Sequence, residues 1–238
     1  TLVLGTVMVR HNVATPEAER VLEDAHRLAL AVGRREWAGQ ARMLLAAGVH
    51  AGQGRTAESL ASIEAAVALL PPRSLQRAIA LTFRAEQLNG AGRYDEAVAD
   101  LEEARRLGAD LRMPKAVAYA AWEQARTASQ TGDPRAAEAL VREADAHRGE
   151  WFATETGVLF LAEAADLLDR AGAPGPAREF LARAVERRDE SPFAVLLAEG
   201  ALAARSGDAA QAEALLTEAA AHPWCTDREA WRITLLRA

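Results

Sequence analysis

The chain has 238 residues, 50% of them hydrophobic but only 5% aromatic, and a formal net charge of −6 at pH 7. Its scattered arginines and single lysine, Lys115, lack the concentrated basic face that nucleic-acid binding requires, so we expect no direct nucleic-acid contact. The single cysteine, Cys225, excludes an internal disulfide, and no signal peptide or apolar run of about 18 residues is present, so we expect a cytoplasmic location and no membrane contact.

Apolar and small residues recur at helical spacing along the whole chain, which predicts consecutive helix pairs. We place these pairs at 1–12 with 16–32, 34–51 with 55–69, 73–90 with 93–107, 114–131 with 134–147, 151–171 with 174–188 and 192–206 with 208–221, before a last helix over 227–238. We treat 1–238 as a single domain, with repeats over 1–32, 34–69, 73–107, 114–147, 151–188 and 192–221. The first helix of a pair is called helix A and the second helix B.

A glycine recurs between the two helices of each pair. The spacings are 38, 40, 40 and 35 residues, for Gly54, Gly92, Gly132, Gly172 and Gly207. Glycine ends a helix well because it enters the left-handed conformation without steric cost. In the first, incomplete copy Val13 stands in this position.

Small residues recur at fixed distances from these glycines. Seven residues before each glycine stand Ala47, Ala85, Ala125, Ala165 and Gly200. Five residues after it stand Ser59, Ala97, Ala137, Ala177 and Ala212. A bulky residue follows four positions later, at Ile63, Leu101, Val141, Leu181 and Leu216. Three further on come Ala66, Ala104, Ala144, Ala184 and Ala219, and the first copy has Ala18, Leu22 and Ala25 in this frame. Small side chains at one face let paired helices approach to about 8 Å.

Helix starts carry capping residues. Asp133–Pro134 and Asp208 are expected to open B helices, and Thr15–Pro16 and Ser191–Pro192 to open others in the same way. Thr226 with a glutamate three residues later predicts a capping box for the last helix.

The recurring positions are those of the tetratricopeptide repeat (TPR), which the chain resembles over nearly its whole length; "GRYDEA" at 92–97 is the closest local match. The resemblance implies an all-α, TPR-like α-solenoid, a right-handed superhelix of antiparallel helix pairs with about 12 to 13 helices. The chain departs from the family in its longer period and in the residues that replace a frequent tryptophan, which are Met43, Leu81, Ala121, Leu161 and Leu196.

Stretches such as "FLAEAADLLDRAGAPGPAREFLARA" resemble the solenoid of large bacterial transcription regulators: the MalT-like, LuxR-type ATP-binding regulators and the Streptomyces antibiotic regulatory proteins. The resemblance implies a non-enzymatic sensor or interaction module of a multidomain bacterial, and by its family actinobacterial, regulator. Its partner would be a protein, another domain of the parent regulator or a small-molecule inducer. Because residue 1 is Thr and the chain stops in a helical pattern, we expect a fragment of a longer protein.

Two alternatives remain open at this point. A free-standing TPR scaffold that joins protein partners would explain the same repeats. An enzyme such as a helical-repeat transferase would need a catalytic constellation, and the sequence offers none. We expect no cofactor and no metal. A carboxylate clamp for peptide C-termini would need several Lys and Asn in the groove; Asn89 is the one such Asn and Lys115 falls outside the groove, so we expect no chaperone-type peptide capture.

The A helices line the inner groove of a stacked helix-pair solenoid. Candidate groove residues of the third, fourth and fifth A helices are Thr82, Glu86, Asn89, Tyr119, Trp122, Arg126, Gln130, Asp166, Asp169 and Arg170. Trp122 and Arg126 are one turn apart on one face, so we expect them to act together. The alternative is that Tyr119 and Trp122 only pack between neighbouring A helices.

Two short motifs have plainer explanations than a ligand site. "GQGRT" at 52–56 lacks the first glycine, the lysine and the preceding strand of a phosphate loop, so we interpret it as an inter-helix turn. "HPWC" at 222–225 is a poor zinc half-site, and we interpret it as a connection with Trp224 as a packing anchor. His50 is expected to be a core histidine with its hydrogen bonds satisfied.

Overall fold

The structure, a computed structural model, describes residues 15–147, 155–223, 225 and 227–237, which contain twelve α-helices and no β-strand. The first six are α1 (Pro16–Ala31), α2 (Arg35–Leu44), α3 (Thr56–Leu69), α4 (Leu75–Gly90), α5 (Tyr94–Asp110) and α6 (Pro114–Gln130). The others are α7 (Pro134–Ala146), α8 (Glu155–Arg170), α9 (Pro174–Val185), α10 (Pro192–Ser206), α11 (Ala209–Ala220) and α12 (Asp227–Arg237). The helix predicted over 1–12 lies outside the described residues.

The chain divides into two compact units, with the boundary between Thr127 and Ala128, inside α6. In the first unit α4 packs along α5, and α2 packs against both α1 and α3. In the second unit α8 packs along α9 and α10 along α11, while α10 also contacts α8. Each of these helices therefore packs against its neighbour in sequence, as the helix-pair pattern predicts. That the whole chain forms one domain stays a prediction.

The small residues of the repeat frame lie in the interior, except Ala47, which is half-buried. Those that follow the turn glycines in helix B are fully or almost fully buried: Ser59, Ala97, Ala137, Ala177, Ala212, Ala66, Ala104, Ala144, Ala184 and Ala219. Among the bulky residues between them, Leu101 and Leu216 have no exposed surface. Burial of these side chains provides the hydrophobic stabilisation of each helix pair.

One bulky position is predicted wrongly. Leu181 is only half-buried, and the preceding residue, Phe180, is completely buried in its place. The Phe180 ring meets Phe160 edge-on, with 6.4 Å between ring centroids, and the Arg183 guanidinium lies 5.0 Å from its centre. A ring fills the space between α8 and α9 better than leucine, so the local packing overrides the frame by one residue.

The turn glycines adopt the conformation that the frame predicts. All five have a positive φ, between 70° and 85°, at Gly54, Gly92, Gly132, Gly172 and Gly207. At Gly207, φ is 85° and ψ is 8°, the left-handed conformation that ends α10. Residues 52–55 of the "GQGRT" segment form the turn between the second helix A and α3, as predicted, and its last residue, Thr56, begins α3.

Most of the predicted caps form. The side chains of Thr15, Asp133 and Asp208 each accept a hydrogen bond from the backbone N–H three residues on. Ser191 precedes α10 but makes no side-chain cap bond, which corrects the prediction there. Ser74 caps α4 by accepting from the Arg77 N–H, a cap that sequence analysis missed. The capping box at Thr226 lies outside the described residues.

The ends of α5 and α9 each lie three residues from the prediction, and the second helix A ends in a π turn. α9 stops at Val185, before the predicted 188. α5 continues to Asp110, past the predicted end at 107, because Gly108 lets α5 approach α6: a Cβ there would lie 3.0 Å from the Val117 backbone nitrogen. The last turn of the second helix A is π-helical over Leu45–His50, directly after α2. Helical hydrophobic spacing does not distinguish a π turn from an α turn, and π turns are frequent at functional or crowded positions.

Gly200→Ala is expected to lower the free energy of unfolding of the second unit by about 1 kcal/mol. A Cβ at this position would lie 2.7 Å from Leu216 Cδ2, and such overpacking costs about 1–3 kcal/mol, more than the 0.5–1 kcal/mol that alanine gains in a helix. The matched control is Gly90→Ala, at the end of α4, where nothing lies within 4 Å of an added Cβ. Urea unfolding followed by circular dichroism measures both; a Gly200→Ala protein as stable as wild type would contradict the close approach.

Candidate interaction surface

In the first unit, two of the predicted groove residues of α4 are buried. Thr82 is 9% exposed and its hydroxyl donates to the Ala78 carbonyl one turn back. Asn89 is 8% exposed, and its amide donates to the Thr127 hydroxyl at 2.9 Å. The Asn89–Thr127 bond joins consecutive A helices, α4 and α6, so it fixes their register. Glu86, on the same face, is half-buried.

Three predicted residues of α6 come together as an aromatic column, which we define as Tyr119, Trp122 and Arg126. The rings of Tyr119 and Trp122 are stacked, with centroids 6.3 Å apart and planes 19° from parallel. The Arg126 guanidinium lies 5.4 Å from the Trp122 ring centre, in cation–π range, and its Nη1 is 3.5 Å from Glu123 Oε1. Trp122 is 6% exposed and Tyr119 is 38% exposed. The tyrosine of the column is therefore partly open to solvent, and the tryptophan stacked on it is buried.

An apolar pocket of about 330 Å³ lies between the N-terminal halves of α4 and α6. Its lining is Leu75, Ala78, Ile79, Thr82, Phe83, Met113, Lys115, Ala116 and Tyr119. Sequence analysis identified Thr82 and Tyr119 but missed the pocket, and it placed Lys115 outside the groove. The missed signal is Phe83, one helical turn after Ile79, together with Met113 just before α6. We call this cavity the α4–α6 pocket.

In the second unit the predicted acidic residues are held by arginines. Asp166 is 4% exposed, and its carboxylate accepts from Arg205 Nη2 at 2.9 Å and Arg232 Nη2 at 2.6 Å, with Arg170 Nε 3.2 Å away. Asp169 pairs with Arg205 Nε. Asp166, Asp169 and Arg170 thus form one network, which ties α8, α10 and α12 together. Sequence analysis missed Arg205 and Arg232, which lie 39 and 66 residues along the chain. Gln130 is exposed at the end of α6.

The structure brings three candidate residues together in each unit and leaves Thr82, Glu86, Asn89 and Gln130 outside these two groups. The aromatic column forms in the first unit and the Asp166 network in the second. A continuous groove through all ten residues stays a prediction.

His50 is a core histidine, as predicted. It is 5% exposed; its Nδ1 lies 3.2 Å from the Ser62 hydroxyl and its Nε2 lies 3.4 Å from Glu19 Oε1. The Arg55 guanidinium also meets Glu19 Oε1, at 2.7 Å. This hydrogen bond from Arg55 lowers the pKa of Glu19, and the desolvation that opposes it is smaller. The cluster therefore joins α1, the π turn and the "GQGRT" turn.

The remaining chemical candidates have packing roles. The His222 ring lies 5.6 Å from the Phe193 ring, and Cys225 packs on the cluster around Phe193 and Leu216. Trp224 of the "HPWC" segment lies outside the described residues. In the described part of the chain, no three His, Cys, Asp or Glu side chains are placed to hold a metal ion. No helix in that same part combines the length and apolar character needed to cross a membrane.

Comparison with known proteins gives the fold. No protein-family profile and no curated protein matches the chain. A solved kinesin light chain-like protein of Podosopora anserina with nearly identical TPR-like repeats is 19% identical, with a TM-score of 0.60 over 80% of this chain and 94% of that one. BtubC (BKLC) from P. vanneervenii is 18% identical, with a TM-score of 0.65 over 97% of this chain and 91% of that one. This chain has a TPR-like repeat fold. The all-α, TPR-like solenoid class predicted from sequence is thereby confirmed.

Asp166→Asn is expected to destabilise the second unit by about 2 kcal/mol, because it removes the buried carboxylate that Arg170, Arg205 and Arg232 contact, while solvent around these partly exposed guanidinium groups limits the loss. Asp169→Asn is the matched control: Asp169 is more exposed and pairs with Arg205 alone, so a loss of about 1 kcal/mol is expected. Chemical unfolding of both variants tests whether Asp166 has a structural role. Equal, small effects would contradict it.

Glu19→Gln is expected to lower the stability of the first unit at neutral pH by removing the carboxylate that Arg55 and His50 share. Because the folded-state pKa of Glu19 is lowered, its contribution is fully present above the unfolded pKa of about 4.3 and is lost as the pH falls through the folded value. The stability gap between wild type and Glu19→Gln should therefore narrow as the pH falls from about 4.3 through the lowered pKa of folded Glu19.

Thermal unfolding over this pH series checks the expectation, with Glu23→Gln, an exposed carboxylate on the same helix, as control. A gap that stays constant with pH would show that the Glu19–Arg55 pair does not form.

Proposed function

We propose that the chain is a non-enzymatic interaction module that binds a protein partner through the exposed part of its A helices, centred on Tyr119. The carrying observation is the aromatic column, in which Trp122 and Arg126 hold a partly exposed tyrosine in place. Tyrosine, tryptophan and arginine dominate the binding energy of protein interfaces. A side chain that is already fixed loses little conformational entropy on binding.

The partners of the buried charged groups support a binding role without catalysis. The Asp100 carboxylate accepts two hydrogen bonds from Arg84, of 2.5 and 2.6 Å. The Asp166 carboxylate accepts one from Arg205 and one from Arg232. His50 has partners at both ring nitrogens. A general base or nucleophile must instead face a substrate, so these groups serve the fold.

The proposed setting is a cytoplasmic, multidomain transcription regulator of bacteria, specifically actinobacteria, in which the module senses an inducer or another domain. The support is the long-period, Ala- and Arg-rich repeat pattern that such regulators share. Binding at the A helices would then shift the parent protein between resting and active states, to the extent that the two states differ in affinity.

A free-standing scaffold is the second candidate, and a separate observation favours it. Leu28, Val32 and Trp37 are 53%, 69% and 53% exposed around the connection between α1 and α2. A cluster of exposed apolar side chains is typical of interaction sites. A second binding surface away from α6 is what a scaffold that joins two partners needs.

Photo-crosslinking in the full-length protein tests the proposal. Tyr119 is replaced by p-benzoyl-phenylalanine, and the same replacement at Glu102, exposed on helix B of the preceding repeat, is the matched control. We expect a defined crosslinked species from position 119 and none from position 102 on irradiation in cells. A crosslink to another segment of the same protein supports the regulator, and one to a second protein supports the scaffold. Equal labelling at both positions, or none at either, contradicts the A-helix surface.

A further inference from the structure

The α4–α6 pocket has the size and the walls of a small-molecule site. Its volume of about 330 Å³ falls at the lower end of the range of ligand pockets, roughly 300–1,000 Å³. The α4 wall consists of the aliphatic Leu75 and Ile79 and the aromatic Phe83. Met113 and Tyr119 line the opposite side. An apolar body of modest length would fill it, whereas a folded peptide segment would not.

The polar groups of the pocket differ in what they can offer a ligand. The Thr82 hydroxyl donates its proton to the Ala78 carbonyl at 3.0 Å, so it does not serve as a donor to a ligand. Lys115 is the one ammonium group in a chain whose other side-chain cations, histidines aside, are arginines. Its long aliphatic stem suits an apolar wall while its charge stays at the water-exposed edge. The pocket therefore combines an apolar interior with one exposed lysine in its lining.

We propose that the α4–α6 pocket binds a small amphipathic carboxylate, with its apolar chain between Ile79, Phe83 and Met113 and its carboxylate at the Lys115 ammonium. Apolar burial supplies most of the affinity, and the charge-assisted hydrogen bond from Lys115 selects an acid over a neutral molecule of the same length. The proposal goes beyond the function proposed above, because it requires neither a protein partner nor a parent regulator.

The test uses the chain labelled with [ε-¹³C]methyl methionine, in which Met113 reports from the pocket wall. The probes are octanoate, octan-1-ol, which has the same apolar length without the charge, and acetate, which has the charge without the apolar chain. We expect octanoate to shift the Met113 signal saturably, octan-1-ol to bind about tenfold more weakly, and acetate to cause no shift. Equal affinities for octanoate and octan-1-ol, or no shift with octanoate, would overturn the proposal.

Two exposed cations provide matched variants. Lys115→Gln removes the charge at the pocket, and Arg112→Gln removes the same charge three residues away, outside the lining. Lys115→Gln should weaken octanoate about tenfold and leave octan-1-ol unchanged, whereas Arg112→Gln should leave both unchanged. Equal losses in the two variants would mean that general electrostatic attraction, and not the pocket, binds the acid. Circular dichroism confirms that both variants are folded.

These outcomes are separate from the crosslinking result at position 119. Octanoate binding is measured on the isolated chain, so it can fail while a partner crosslink is found, and the converse also holds.

Discussion

The close approach of adjacent helices is the constraint on which the rest of the structure depends. Three glycines show how tight it is: a Cβ would lie 2.9 Å from Leu70 at Gly39, 3.0 Å from Val117 at Gly108 and 2.7 Å from Leu216 at Gly200. Backbones at this separation leave room only for alanine-sized residues along the contact and for one bulky residue per helix to fill the remaining gap. The short connections between paired helices then require a left-handed residue, which is why the turn glycines recur.

The same constraint explains how much of the fold could be predicted from sequence. Alanine and glycine at fixed spacing are a local signal, so the helix pairs, turn glycines and most caps could be predicted. The predictions fail where a contact with another helix overrides the local repeat frame. Phe180 displaces Leu181 because its ring meets Phe160, and α5 runs on to Asp110 because Gly108 lies against α6. The π turn before Ala51 gives no signal in hydrophobic spacing at all.

The candidate site was less predictable, because the repeat frame gives the direction of a side chain but not its depth. Thr82, Asn89, Trp122 and Asp166 are all buried, since neighbouring A helices pack beside them. The partners of Asn89 and Asp166 come from the next repeat, 38 and 39 residues on, at Thr127 and Arg205. What the frame could predict was that Trp122 and Arg126 share one face of a helix, and the Arg126 guanidinium does lie 5.4 Å from the Trp122 ring centre. That the two act together in binding stays a prediction.

The choice of arginine over lysine has a structural consequence for binding. The planar guanidinium fork holds carboxylates through two bonds, as Arg84 does with Asp100 and Arg183 does with Asp145. These pairs fix helices to one another: Arg84 and Asp100 join α4 to α5, and Arg183 and Asp145 join α9 to α7. Lysine, whose compact ammonium forms no fork, is used once, and it is at the α4–α6 pocket. Because an ammonium needs no fixed fork geometry, Lys115 suits the proposed recognition of a small acid at this pocket.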